Sequence, residues 1–474
     1  MYKEVLIGMI SLPFLKNILT KIPVVSFLIL LNTLFFANAP LFSQEVVGYY
    51  TSWNNVPSPN SIDFNDLTMI IHAFASPNPD GTVGLSDGVP NPALIQATHN
   101  ANKKILISFG EGGDSTGFYH IVSDTAIMTK FINNVYNFIK VNNYDGIDID
   151  WEFPNKILSA PFTALIRGLR QKFNSVDSSL IITMAIPSSA YYGQYFQYSI
   201  LVNYVNWFSI MAYDYYGSWS NTSGHNAPFY QSWLDPNQAG AGYSSILYMI
   251  GRGVGIPKNK LLFGEPFYGK EFNAPGLYKK RTGDVPSLTY SQIIDSLNSG
   301  NWKYNWDSVS AVPYLLNKDT TRFITYDDTN SIKIKTESIK SLGLGGVMIW
   351  ALGYDLEPRY QETLLHIIGN ILLNKNTTLV SNLIENRYTF YLSNNYPNPF
   401  NPSTNIAFTI PKEGFVSLKV YNTLGQVITT LVNGNMAIGS HQIEFHGSRF
   451  SSGIYFYVLN FDGHNEIKKM MLIK

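Results

Sequence analysis

The chain has 474 residues, more than one average domain and enough for a large barrel plus a smaller module. Lys and Arg total 33 and Asp and Glu total 33, so formal net charge is zero and the electrostatic footprint of a nucleic-acid binder is missing. Cysteine is absent, which excludes disulfides and thiolate metal centres and makes an exported form depend on its core.

Lys16 and Lys21 precede an apolar run over 22–36, and the small residues Ala37 and Ala39 follow. This pattern reads as an export signal over 1–43. Cleavage after Ala39 would place Pro40 at the next position and is disfavoured, with cleavage after Ser43 as the alternative. No later segment is long and apolar enough to cross a bilayer, so no stable membrane span is expected after signal removal.

From 46 to 373 strand and helix patterns alternate, which argues for a parallel sheet with crossover helices. Strands are predicted at 46–50, 69–74, 104–109, 146–152, 180–185, 207–211, 261–265 and 346–350, with helices such as 124–141 and 161–173 between them. The natural closure of such units is an α/β fold of the (β/α)8 barrel type. The largest gap, about 272–323, holds Tyr290-Ser-Gln-Ile-Ile and Trp302–Trp306 and predicts a small α+β insertion walling one side of a cleft.

The fourth strand carries the most specific signal, Asp145-Gly-Ile-Asp-Ile-Asp-Trp-Glu152. On a strand Ile147, Ile149 and Trp151 point one way and Asp148, Asp150 and Glu152 the other, spaced about 6.6 Å apart. A buried column of like charges cannot stay fully ionised, so at least one member holds a proton near neutral pH. A calcium loop also spaces acids two apart, but its intervening residues are polar and glycine-broken. A solvated edge strand rarely carries Ile-Ile-Trp on its other face.

The octapeptide resembles the strand-four signature of glycoside hydrolase family 18, the chitinase family. That resemblance implies a retaining chitinase acting on chitin or N-acetylglucosamine oligosaccharides, without cofactor or metal. Glu152 would be the general acid, Asp150 would orient the substrate acetamido group, and Asp148 would exchange a proton with Asp150. Asp145, ahead of the strand, reads as a structural hydrogen-bonding residue. In this family the sugar's own N-acetyl oxygen replaces the carboxylate nucleophile of ordinary retaining glycosidases.

The remaining landmarks follow in order. Strand six supplies Met211-Ala-Tyr-Asp-Tyr-Tyr-Gly-Ser-Trp219, similar to the family's Met-x-Tyr-Asp segment. The resemblance assigns the Tyr213 hydroxyl to the acetamido oxygen, Asp214 to the reacting sugar or the acid, and Met211 to substrate contact. Gly224-His-Asn-Ala-Pro228 makes His225 a loop-fixing residue. Strand eight ends in Trp350, expected as the floor beneath the reacting sugar, with a core tryptophan as the plainer reading. Tyr49, on strand one, reads as a supporting partner of the acid column, and with Ser108 and Tyr268 it is a further substrate-site candidate. Two departures stand out: Glu111 in Ser108-Phe-Gly-Glu-Gly-Gly113, and Lys270 where the family usually has Arg. Losing a planar two-pronged donor at 270 predicts altered subsite contacts.

A polar stretch over 374–387 reads as a linker. Beyond it, Tyr396-Pro-Asn-Pro-Phe-Asn-Pro-Ser-Thr404, Val420-Tyr-Asn-Thr-Leu-Gly-Gln426, Ser452-Gly-Ile-Tyr455 and the basic tail resemble the sorting domain of the type 9 secretion system. The resemblance implies an all-β, sandwich-like module over 388–474, engagement by that machinery, and a secreted or surface-attached product. An immunoglobulin-like carbohydrate-binding appendage is the alternative. For the barrel, the alternatives are an endo-β-N-acetylglucosaminidase acting on N-glycans or peptidoglycan, and a chitinase-like lectin that binds without cutting.

Overall fold

The computed structural model describes residues 43–53, 57–110, 116–251, 254–356, 364–373, 391–392, 395, 397–410, 414–436 and 439–474. The export signal, Glu111 and the 374–387 linker lie outside the described residues. The chain divides into two compact units, Met1–Asn374 and Lys375–Lys474.

The first unit is a closed parallel barrel. Its strands are β1 (Glu45–Thr51), β2 (Met69–Pro77), β3 (Lys104–Gly110), β4 (Gly146–Asp150), β5 (Ile181–Pro187), β6 (Trp207–Met211), β7 (Leu261–Pro266) and β8 (Gly346–Trp350). Each pairs in parallel with the next, and β8 closes on β1. Side chains alternate between two cores. Ile105, Ile107, Phe109, Ile147 and Ile149 pack outward against helices, while Val47, Tyr49, Ile71, Leu106, Leu262 and Met348 fill the lumen. β4 stops two residues short of the predicted 152: its last partner is Gly110, facing Asp150.

The crossover helices carry a 3.6-residue apolar stripe. Thr125–Asn142 buries Phe131, Val135 and Ile139, one turn apart, and Ser159–Val176 buries Phe162, Leu165, Ile166, Leu169 and Phe173. Asp124 caps the first of these by accepting from the Ala126 and Ile127 amides, and Asn143 ends it in the left-handed region at φ 62°. At the barrel seam Gly346 has φ 146°, and a Cβ there would lie 1.9 Å from the Glu45 carbonyl oxygen. Only glycine fits where β8 begins against β1.

The insertion is an antiparallel sheet of five strands, ordered Ser287–Thr289, Tyr268–Phe272, Phe323–Thr325, Val312–Asn317, Trp302–Asp307, with the helix Tyr290–Asn298. It is wider than the expected 272–323, because Tyr268–Phe272 leaves β7 after a single residue and pairs with both Ser287–Thr289 and Phe323–Thr325. Thr289 and Gln292 form a reciprocal capping box at the helix start.

A buried charge cluster joins insertion to barrel. Lys335, on the helix Thr329–Leu342, donates to Asp327 Oδ2 at 2.7 Å and to the Ala227 carbonyl at 2.8 Å, and both side chains of the ion pair are 1% exposed. Glu265 of β7 is also fully buried. Burial pushes its carboxyl well above the ordinary range, the Lys335 charge opposes that rise, and Asp327 adds to it.

The second unit has two antiparallel sheets. One orders Tyr391–Leu392, Ser403–Ile410 and Gly439–His446; the other orders Val427–Met436, Gly414–Tyr421, Gly453–Phe461 and His464–Leu472. Ile406, Phe408 and Phe445 from the first share one core with Leu418, Tyr457, Leu459 and Met470 from the second, the arrangement of a sandwich. Among the described residues, no helix is long and apolar enough to cross a membrane.

Replacing Lys335 with Met leaves the buried Asp327 carboxylate without its cation. The expected loss is about 3–5 kcal/mol of stability, read by denaturant unfolding.

Candidate active site

Strand register builds the base of the site. Ser108 on β3, Asp148 on β4 and Thr183 on β5 are direct lateral partners, so their side chains form one row across the lumen. Asp148 is fully buried and accepts from the hydroxyls of Ser108 (2.7 Å), Tyr49 (2.7 Å) and Thr183 (2.6 Å). Burial pushes its carboxyl above the usual range although these donors favour the charged form.

Asp150 lies one step higher, partly buried, with Oδ1 enclosed and without a protein hydrogen-bond partner. Burial, reinforced by the charges of Glu152 and Asp148, drives its carboxyl well above the ordinary range. Glu152 stands beyond the end of the strand and is exposed at the mouth. Its carboxyl is also raised, first by partial desolvation against the surrounding protein and then by the Asp214 charge. Trp151, on the opposite face, stacks on Phe118 at 5.1 Å and anchors the column to the helical layer.

The end of β6 supplies the second group. Tyr213 has its hydroxyl pushed well up by burial and by Asp150, Asp214, Glu152 and Asp148, so it remains a proton donor. Gly264 on β7 makes room for it, since a Cβ there would lie 2.3 Å from the Ile210 carbonyl oxygen and 3.0 Å from the Tyr213 ring. Asp214 has φ 60°, a left-handed conformation that Asp tolerates better than most residues. Its Oδ1 accepts from the Tyr268 hydroxyl at 2.6 Å and from Lys270 Nζ at 3.0 Å. The Lys270 amine also lies 5.1 Å from the centre of the exposed Trp219 ring. A single ammonium therefore serves both Asp214 and Trp219. Met211 is partly buried at the strand end, packed against the lumen cluster.

Aromatic rings floor the mouth on the β8–β1–β2 side. Trp350 lies 5.2 Å from Tyr49 and stacks on Phe74 at 5.9 Å, and Phe74 stacks on Trp53 at 5.8 Å. A cavity of about 470 Å³ opens beside them, lined by Asp214, Tyr268, Leu288, Thr289, Gln292, Trp350 and Tyr354, among others. Leu288, Thr289 and Gln292 belong to the insertion, which thus walls the cleft as expected.

Of the ten residues expected to act, Glu152, Asp150, Tyr213, Asp214, Tyr268 and Trp350 gather at one mouth with Asp148 beneath them; Tyr49 and Ser108, expected at the substrate site, are instead sealed in the lumen where their hydroxyls bond Asp148, and Met211 packs against the lumen cluster. Asp145 stays outside. Its carboxylate takes Lys104 Nζ (2.7 Å), the Ile105 amide (2.9 Å) and His99 Nε2 (2.9 Å), and these bonds outweigh burial to hold it below its usual range. His225 is buried and bonds Asp307 Oδ2 at 3.0 Å, fixing the loop after β6 to the insertion. Sequence reasoning missed Thr183, Phe74 and Gly264. Only register could have exposed Thr183, because threonine is ordinary on a strand.

A family model described as glycosyl hydrolases family 18 matches residues 45–355, the barrel with its insertion. The chain belongs to that family. It is a glycoside hydrolase, and residues 394–474 match a second model, the secretion system C-terminal sorting domain. That domain points to a secreted or cell-surface location. The glycosidase is similar to chitinase A1 of Niallia circulans, 28% identical, with 83% of this chain and 68% of the relative covered. Among solved structures it resembles a chitinase of Trichuris suis, with TM-score 0.65 and 24% identity over 70% of this chain and 100% of that one. It also resembles human YKL-39, described as a pseudo-chitinase that retains chitooligosaccharide binding, with TM-score 0.64 and 25% identity over 69% of this chain and 99% of that one.

Thr183→Val keeps the shape of the row and removes a hydroxyl from buried Asp148. The glycosidase should lose about 1–3 kcal/mol in denaturant unfolding.

Proposed function

We propose that this family 18 hydrolase is a secreted retaining chitinase that cuts β-1,4 bonds between N-acetylglucosamine units by substrate-assisted catalysis. The observation that carries the reading is the acid column: Asp148 and Asp150 enclosed below, Glu152 beyond the strand end, and all three carboxyls raised.

Glu152 donates its proton to the glycosidic oxygen as the bond to the anomeric carbon breaks. The acetamido carbonyl oxygen of the same sugar attacks that carbon from the opposite face and forms an oxazolinium-like intermediate. Asp150 accepts from the acetamido N–H, and Tyr213 donates to its carbonyl side. The proton that Asp148 and Asp150 share moves so that Asp150 carries charge when the ring nitrogen becomes positive. Water, deprotonated by Glu152, then opens the intermediate on the original face, giving net retention. Asp214 is already held by Tyr268 and Lys270 and is assigned to positioning the sugar. Trp350 offers its indole face to the reacting pyranose. The scheme draws its charge from side chains and substrate and calls on no cofactor.

The sorting domain, together with the export signal expected over 1–43, supports passage through the type 9 secretion machinery. A second reading follows from the likeness to the pseudo-chitinase YKL-39, in which this cleft would hold chitooligosaccharides without cutting them. Retention of Glu152 with both aspartates favours turnover.

Glu152→Gln should lower chitohexaose hydrolysis by roughly 10²–10⁴-fold, the usual share of a positioned acid, with oligosaccharide binding retained. Hydrolysis at the wild-type rate in that variant would remove Glu152 from the role. Wild-type protein that binds chitohexaose but releases no product would establish the lectin reading.

The pH profile gives an independent check. Glu152 must be protonated to act, so kcat/KM declines as pH rises through its raised pKa. The Asp214 charge contributes to that elevation. Asp214→Asn removes the charge, and the alkaline limb of kcat/KM should move to lower pH.

A further inference from the structure

We propose that Asp63, Asp66 and His366 form a divalent-metal clip, suited to zinc, that fastens the last helix of the barrel to its first crossover. The turn Phe64–Asp66 comes just before β2 begins at Met69, so the clip lies at the end of the barrel opposite the mouth. It stands apart from the chitinase reading and does not depend on it.

The donors come from two distant stretches of chain. Asp63 caps the turn Phe64–Asp66, and His366 lies on the helix Leu364–Leu372 after β8. Each of the three residues brings one ligand atom, and these atoms lie within 4.8 Å of one another. Among the described residues no other trio of His, Asp and Glu side chains comes so close. An imidazole nitrogen with two carboxylate oxygens is a donor set that zinc accepts, whereas calcium and magnesium favour oxygen alone. Two carboxylates also balance the charge of a divalent ion.

The geometry is in place before an ion arrives. His366 Nδ1 lies 3.0 Å from Asp66 Oδ2. Two donors held about 2.1 Å from one zinc stand about 3.0–3.4 Å apart, so this pair already has the spacing of neighbouring ligands. Asp66 is 1% exposed, and a Cβ on Gly369 would lie 2.3 Å from its Oδ1. Glycine at 369 therefore leaves the hollow in which the carboxylate rests against the helix. Asn370, one turn beyond His366, lies 2.8 Å from Nε2 through its side-chain amide. That amide turns either its nitrogen or its oxygen to the ring, so it orients the imidazole whichever nitrogen carries the proton. Asp63 uses Oδ1 for the Asn65 amide at 3.0 Å and for the Asn65 side chain at 3.1 Å, which leaves Oδ2 to the ion. Asp63 is exposed and the His366 side chain is 42% exposed, so an ion has a way in and water can fill the remaining positions.

The clip would act on the unfolded chain as much as on the folded one. Asp66 and His366 are 300 residues apart, and holding so long a segment closed removes freedom from the unfolded ensemble. Cysteine is absent, so no disulfide can do this work in an exported chain.

The test uses the full chain, stripped with a chelator and titrated with zinc chloride. Calorimetry should show saturable binding, and the melting temperature should rise by about 4 °C with zinc near 100 times its Kd. Asp63→Asn keeps an acceptor for the Asn65 amide and removes a charged ligand, and His366→Gln keeps a hydrogen-bonding group beside Asp66. Each should weaken zinc by more than about 100-fold and abolish the rise, and Asn370→Ala should cost about tenfold. Without zinc, Asp63→Asn should melt within about 2 °C of the parent, which shows that the fold is intact. A wild-type chain that takes up no zinc would overturn the inference. So would zinc affinity and a melting rise that survive unchanged in Asp63→Asn and His366→Gln.

Discussion

The site depends on one constraint: Asp148 is sealed inside the barrel lumen, and three hydroxyls from three different strands must converge on it. Ser108, Thr183 and Tyr49 reach it only if β1, β3, β4 and β5 keep their relative register. A one-residue slip of any of them would turn its side chains to the other face. The barrel's closure and the placement of Asp150 and Glu152 above Asp148 are thus a single geometric fact. With Asp148 fixed, the charges above cannot be independent, because three carboxyls in a low-dielectric column repel. The proposed proton sharing would then follow from packing alone.

Around this column the fold divides its labour. β8, β1 and β2 supply flat rings, β4 to β6 supply acids and hydroxyls, and the insertion between β7 and β8 supplies a wall. His225 and Lys335 are the fasteners: one ties the loop after β6 to Asp307, the other ties the helix Thr329–Leu342 to Asp327 and Ala227. Both are buried polar contacts that lose much more by breaking than they gain by forming. Their contribution is to hold the wall in one position over the cleft.

Much of this was legible in the chain, and for physical reasons. Barrel strands are apolar runs punctuated by glycine and proline, and a parallel strand buried on both faces leaves a continuous signature. The acid column was legible because alternate spacing on a strand is a statement about direction. What stayed hidden depends on neighbours in space. Thr183 acquires its role from facing Asp148, and Phe74 from lying between Trp350 and Trp53. Lys270 read as a lost arginine, yet its amine finds Asp214 and an indole together. The predicted end of β4 ran two residues long because Trp151 and Glu152 continue the alternating pattern after pairing has ceased. The insertion began earlier than expected because Tyr268–Phe272 joins it only through pairing with Ser287–Thr289 and Phe323–Thr325, which are distant in the chain.

That one-residue passage from β7 into the insertion has a mechanical meaning. Tyr268 is both the first residue of the wall's second strand and the hydroxyl that grips Asp214. Tilting the wall must therefore tug on Asp214, the group proposed to position the sugar. Breathing of the cleft and alignment of the reacting unit are geared to one another, so a bulky chain wedging the wall outward would disengage the chemistry by leverage.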